Sequence, residues 1–309
     1  MRGFLSTLLI STVAAQGSVP TKGDNGEIAG IFGGGMAKGK GLAKISAPSG
    51  KAGPNAWAST KSGGSGPYKA GWTKDPTLPN QTVYAPKSPP QALSMPVIAW
   101  GESGCENSGT RFAEFLTEIA SHGYLIIASG PPSGGSGQTQ MKQMTDSIDW
   151  AAKGNGAAYG NVDKDKIIAA GQSCGGLEAY SASYHDDRVK LTIIFNSGVK
   201  SATTRSLLKQ LKAPVGFFLG GAYDQASANG QADYDQFSSD LPVWQAVNKN
   251  LTHMATYTSP GGGLSGKSAV PFLEWQMRGD AKAKAQCTDK SAPNSLYKDG
   301  WEIKFKNFK

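Results

Sequence analysis

At 309 residues with 39 % hydrophobic content, the chain can bury a substantial core as one large α/β domain or as two small ones. Its net charge of +8 is spread along the sequence, apart from Lys38, Lys40 and Lys44 near the start and Lys304, Lys306 and Lys309 at the end. A nucleic-acid stripe would be denser and interleaved with aromatics, so nucleic acid is excluded as a partner, and solvated faces with a mild preference for anionic surfaces such as cell-wall polymers are expected.

Arg2 opens the chain with a positive charge, residues 4–13 are apolar apart from small hydroxyl side chains, and Val13-Ala14-Ala15 before Gln16 forms a cleavage sequence. Residues 1–15 therefore read as a secretory signal. The run is too brief to cross a bilayer, which takes roughly 20 residues, and no later stretch is apolar enough. A secreted, extracellular protein without a membrane span is expected. Residues 16–65 are rich in Gly, Ser, Lys and Ala, as in Gly33-Gly34-Gly35, and hold too few large apolar side chains for a core of their own. They read as a lead-in that crosses the surface of a single domain at 66–309. Asn80 and Asn250 begin glycosylation acceptor sequences, of consequence only in a eukaryotic secretory pathway.

From Pro67 short apolar bursts alternate with turn residues. Residues 68–73 and 82–85 read as an antiparallel pair, and 95–100 as the first strongly buried strand. A regular alternation follows: helix 110–121, strand 124–128, helix 138–152, strand 167–170, a helix after residue 173, strand 191–195, helix 204–211 and strand 215–219. The last third reads as a helix at 243–247, a strand at 255–258, a helix at 269–277 and a tail. Strands alternating with helices predict a mostly parallel central sheet covered on both faces.

Between strand 167–170 and the helix that follows stands Gly171-Gln172-Ser173-Cys174-Gly175-Gly176. Strand, sharp turn and helix make a nucleophile elbow: small residues at the flanks let the turn close and present Ser173 at its tip. In a chain with 41 glycines the pattern alone is weak, and its context gives it weight. A serine hydroxyl needs an imidazole to take its proton and a carboxylate to orient that imidazole. Of the three histidines, His122 precedes a strand and so lies at the wrong edge of the sheet, and His185 ends the elbow helix, about three turns from the serine. His253, in a late loop, is the candidate base. Asp224 lies just beyond strand 215–219, where reactive groups gather in open α/β sheets, and is the candidate acid, with Asp233 as runner-up. The oxyanion donors expected are the backbone amides of Cys174 and of Glu102, preferred over Ser103, in the loop after strand 95–100. The Glu102 side chain must then point away, because a carboxylate beside the hole would oppose the developing charge.

Of three cysteines one must be left over. Cys174 inside the elbow reads as a buried small hydrophobe, which leaves Cys105 and Cys287 as the candidate disulfide. Substrate contacts are expected from loops 130–138, 223–240 and 259–268, with Trp150, Tyr223 and Trp244 as aromatic candidates, Tyr223 and Trp244 foremost.

The stretches at 96–101 with Cys105, 115–124, 170–180 and 272–280 resemble secreted α/β-hydrolases of fungi and bacteria, related to the dienelactone hydrolase and polyester hydrolase (cutinase-like) branches, over most of residues 67–309. The resemblance implies an α/β-hydrolase fold with Ser173 as nucleophile, Asp224 as acid, His253 as base, and the Glu102 and Cys174 amides as oxyanion hole. Members often carry glycines directly after the base, whereas Met254 and Ala255 follow His253. The expected activity is hydrolysis of a small or polymeric carboxylic ester by a monomer that needs neither metal nor cofactor. The competing expectation is a secreted binding protein that kept the fold and lost turnover.

Overall fold

A strand sandwiched between two helical layers has to be apolar on both faces, and Met95–Gly101 and Val215–Gly220 are buried at every residue. These strands belong to a computed structural model that describes residues 56–237 and 240–308. The signal expected at 1–15 and most of the lead-in lie outside the described residues.

In chain order the elements are β1 (Ala70–Thr73), β2 (Gln81–Pro86), β3 (Met95–Gly101), α1 (Ala113–Ser121), β4 (Leu125–Ser129), α2 (Met141–Ala152), β5 (Val162–Gln172), α3 (Cys174–Ser183), β6 (Val189–Phe195), α4 (Ala202–Arg205), β7 (Val215–Gly220), α5 (Ser227–Gln236), β8 (Val243–Asn248), α6 (Gly263–Arg278), α7 (Ala281–Thr288) and β9 (Trp301–Lys306). They build a nine-stranded sheet in the order β1-β2-β4-β3-β5-β6-β7-β8-β9. The six strands from β4 to β8 in that order run parallel, while β1, β2 and β9 pair antiparallel at the two sides. The chain is thus α/β with a mostly parallel sheet.

Successive side chains of a strand point to opposite faces, and the two halves of the core follow that alternation. Val97, Ala99, Ile127, Ile167 and Ala169 pack with Met144 and Ile148 of α2, Tyr180 of α3 and Tyr234 of α5. Ile98, Trp100, Ile126, Ile168 and Phe195 pack with Phe115 and Leu116 of α1 and Phe272 and Trp275 of α6. The second face is aromatic: Phe195 stacks on Phe218 with centroids 4.9 Å apart, and Trp244 on Phe272 at 4.7 Å. Each such ring contributes about 1.5–3 kcal/mol on burial, and together they hold the strand ends in fixed register.

Two expected elements differ. Residues 243–247, expected as a helix, form β8, parallel to β7 and antiparallel to β9. A short apolar run carries no decisive period, and hydrogen bonding on both sides settles it. Residues 255–258, expected as a strand, are turns: Ala255 takes φ 41°, and Thr256 Oγ1 donates to the Gly262 carbonyl and accepts from the Ser265 N–H. A threonine that ties its own loop together competes with strand pairing. The end of the lead-in lies along β1, with Ala58 bridged to Trp72 and the Thr73 hydroxyl donating to the Ala56 carbonyl at 2.6 Å. Among the described residues no helix is long and apolar enough to cross a membrane.

Candidate active site

The turn from β5 into α3 is as tight as its glycines suggest. A Cβ on Gly171 would fall 2.3 Å from the Gly175 carbonyl oxygen, and one on Gly175 would fall 2.1 Å from the Gly101 carbonyl, backbone that cannot give way. Ser173 pays for the turn with φ 54° and ψ −115°, a region that non-glycine residues occupy only where the surroundings enforce it. Here the Ser173 N–H donates to the Phe195 carbonyl at 3.0 Å, and the Ser197 hydroxyl donates to the Ser173 carbonyl at 2.6 Å. The β6 end therefore pins the strained residue.

His253 arrives from the loop after β8, 80 residues on, and its Nε2 stands 2.9 Å from Ser173 Oγ. Its Nδ1 stands 2.7 Å from Oδ1 of Asp224, which follows β7. An Nδ1–H donated to the carboxylate leaves Nε2 free to accept from the serine hydroxyl, the tautomer that makes imidazole a base toward Ser173. Burial alone would push the Asp224 carboxyl up. Donation from His253, the Gly220 N–H, Asn196 Nδ2 and the Ala226 N–H outweighs it and holds the carboxyl below its usual value.

No protein-family model matches the chain, and neither does any curated protein.

Three residues of this site have contacts that the sequence pattern did not assign. Asn196, at φ 43° just after β6, gives its amide to Asp224 at 2.8 Å, and its Oδ1 accepts from the buried Tyr257 hydroxyl. Gln172 Nε2 donates to the His253 carbonyl at 2.8 Å, tying the His253 loop to the residue before Ser173. Tyr257, Asn196, Asp224, His253 and Ser173 thus form one continuous hydrogen-bonded file. A signal for Asn196 existed, since it ends a buried strand next to β5, where small polar residues face the same strand edge.

The Glu102 backbone lies against the elbow as expected: its carbonyl accepts from the Gly175 N–H at 3.0 Å, and its amide nitrogen is 2.7 Å from where a Gly175 Cβ would be. Its side chain points away from solvent and is fully buried. The expected Cys105–Cys287 pair is not made. Cys105 is bonded to Cys174, with their Cα atoms 5.2 Å apart, and Cys287 is buried and free, its thiol pushed up by burial. Strand register explains the pairing. Gly101 lies opposite Gly171 in adjacent parallel strands, so Cys105 and Cys174, just beyond them, emerge side by side.

Tyr223 is 84 % exposed beside Asp224. Trp244 is not at the site: it is fully buried on β8, stacked on Phe272 and donating to the Cys287 carbonyl at 3.0 Å. Trp150 is likewise buried, donating to the Thr77 hydroxyl at 2.8 Å. Both are core because their strand and helix turn them under the layers, not because of their positions along the chain. Asp233 is committed elsewhere, paired with Arg205 at 2.7 Å and accepting from the Val199 N–H and the Tyr180 hydroxyl. His122 faces Glu118 at 3.3 Å and His185 faces Gln210 at 3.1 Å. Among the described residues no group of three or more His, Cys, Asp and Glu side chains gathers as metal ligands would.

Proposed function

We propose that the protein is a secreted serine carboxylic-ester hydrolase built on the α/β-hydrolase fold. The observation that carries the reading is the unbroken file Asp224–His253–Ser173, delivered from three separate loops to a serine held in a strained strand-to-helix turn. Chain order Ser, Asp, His and the elbow between β5 and α3 fit that fold. A disulfide beside the elbow fits an oxidising compartment.

In this reading Ser173 Oγ attacks the ester carbonyl carbon while His253 Nε2 takes its proton, and the new C–O bond leaves a tetrahedral oxyanion. The amides of Cys174 and Glu102 receive that charge. The alcohol leaves with the proton from His253 as the carbonyl re-forms, giving a seryl ester. Water, deprotonated by the same imidazole, adds to the seryl ester; the carboxylic acid departs and Ser173 regains its proton. Asp224 orients the imidazole and stabilises its charged form without accepting the proton. Cell-wall acetyl or feruloyl esters, cutin-like polyesters and small soluble esters are the substrate classes to test.

Ser173→Ala tests the assignment: cleavage of short p-nitrophenyl esters should fall about 10⁴-fold or more. Wild-type turnover in that variant would sink it. A fluorophosphonate probe should label Ser173 of the native protein; a silent serine would favour the alternative of a binding protein without turnover.

A further inference from the structure

Directly beneath the elbow lie two carboxyl groups that the reaction does not use. Glu102 gives its amide to the proposed oxyanion hole, but its side chain runs inward and is fully buried, and neither carboxyl oxygen has a hydrogen-bond partner. Glu178, on α3 five residues after Ser173, is buried as completely. One of its oxygens accepts from the Thr139 hydroxyl at 3.1 Å, while the other has no partner and lies 2.9 Å from where a Cβ on Gly101 would stand. Both carboxyls therefore border the same short backbone segment, Gly101–Glu102, which carries one of the two oxyanion donors.

An ionised carboxylate without donors in a dry site is costly, and the group escapes that cost by keeping its proton. Burial pushes Glu102 up to about 8, with Glu106 and Glu178 adding to the rise and the Trp100 indole and Arg111 opposing it. Arg111 is itself engaged by Glu106. Trp100, whose indole N–H closes no hydrogen bond, is the nearest donor from β3, and from β2 the Tyr84 hydroxyl is already donated to the Gly109 carbonyl. Burial likewise pushes Glu178 up to about 7, opposed by the Thr139 hydroxyl. The surroundings thus contain more negative than free positive charge, and both carboxyl groups are buried.

We infer that Glu102 and Glu178 each keep a proton beneath the oxyanion loop, and that ionisation of Glu102, by putting negative charge directly behind its own amide, sets the alkaline limit of ester hydrolysis. This rests on the esterase reading for its catalytic consequence, though not for the protonation itself. Glu102 acts here through its own backbone and through space; its carboxyl touches no substrate. A unit charge several ångströms behind a donor, at the effective dielectric of a partly wet protein, weakens transition-state binding by roughly tenfold or more.

The test uses the full-length secreted protein, Glu102→Gln and Glu178→Gln, each compared with itself across pH. In the wild type kcat/KM at pH 9.5 should be about one tenth of its value at pH 7, whereas Glu102→Gln, which cannot ionise there, should keep a ratio near one. Infrared difference spectra of the wild type over the same range should show protonated-carboxyl bands disappearing, and Glu102→Gln should lack the part of that change that Glu178→Gln retains. A structural role alone would lower activity at every pH and leave the ratio untouched. If Glu102→Gln declines in parallel with the wild type, or the wild-type bands persist to pH 9.5, the inference is wrong. A wild type that cleaves no ester at any pH yet loses the bands refutes the esterase reading and the catalytic consequence, while the spectra still report the proton.

Discussion

Breaking the Cys105–Cys174 bond should cost both stability and rate, and the two losses come from different sources. The bridge closes a loop of 69 residues. Chain entropy for that length is about 15 cal/mol/K, or about 4 kcal/mol at room temperature, freed to the unfolded state when the bond is absent. For a domain of this size that corresponds to a fall of about 8–16 °C in Tm. The rate effect is local: the bridge holds the loop that carries the Glu102 amide against the residue that carries the Cys174 amide, and loosening one donor should lower kcat by about tenfold or more, short of the 10²–10³ that follows outright removal. The measurement is denaturant unfolding and p-nitrophenyl ester turnover of Cys105→Ser/Cys174→Ser against the oxidised wild type. Thiol titration should find one reactive group in the wild type, and only after unfolding, because Cys287 is free and buried. A double variant within about 1 kcal/mol of the wild type and with full kcat would refute the argument that this bond organises the site.

Trp244→Ala should destabilise the fold by about 3–5 kcal/mol while leaving the ranking of ester substrates by kcat/KM unchanged, since the ring belongs to the core against Phe272; a substrate-selective change would place it in the binding site after all. Gly175→Ala should abolish soluble expression or activity, because its Cβ would meet the Gly101 carbonyl at 2.1 Å; an active, well-folded variant would contradict the described elbow. Stability should depend on pH through the buried acids. Glu102 and Glu178 hold protons in the folded state at pH values where the unfolded chain has released them, so stability is greatest below the ordinary glutamate range and is lost as pH rises through about 7 to 8. Denaturation midpoints at pH 5 and pH 9 should therefore differ more for the wild type than for Glu178→Gln.

The elbow was legible because its constraints are local: Gly171, Ser173 and Gly175 sit within five residues, and the clash of a Cβ with a neighbouring backbone is written in the spacing. Asp224 and His253 were legible by elimination, since the chain holds only three histidines and few acids fall beyond strand ends. The disulfide was not, because parity of cysteines says nothing of register; only the alignment of Gly101 with Gly171 brings Cys105 beside Cys174. β8 was misread because a run of six residues, all but Val247 buried, fits either period, and its identity depends on partners far away in sequence. Tyr257 stayed silent for a similar reason, and Asn196 showed only its place at a strand end, as each acquires its role from a hydrogen bond spanning dozens of residues.

The way the site is strung together bears on how it comes into being. Ser173 and His253 are 80 residues apart, and Asp224 is 29 from His253, each hung on a different strand from β5 to β8. Contacts that distant form late, after the loop-closure cost of the intervening chain has been met. No partly assembled sheet can bring the imidazole to the hydroxyl, so the Asp224–His253–Ser173 file closes only when β8 has docked. On the proposed function, regain of ester cleavage on refolding would then trail the return of helical signal, and turnover would serve as a clock for the closing of the sheet.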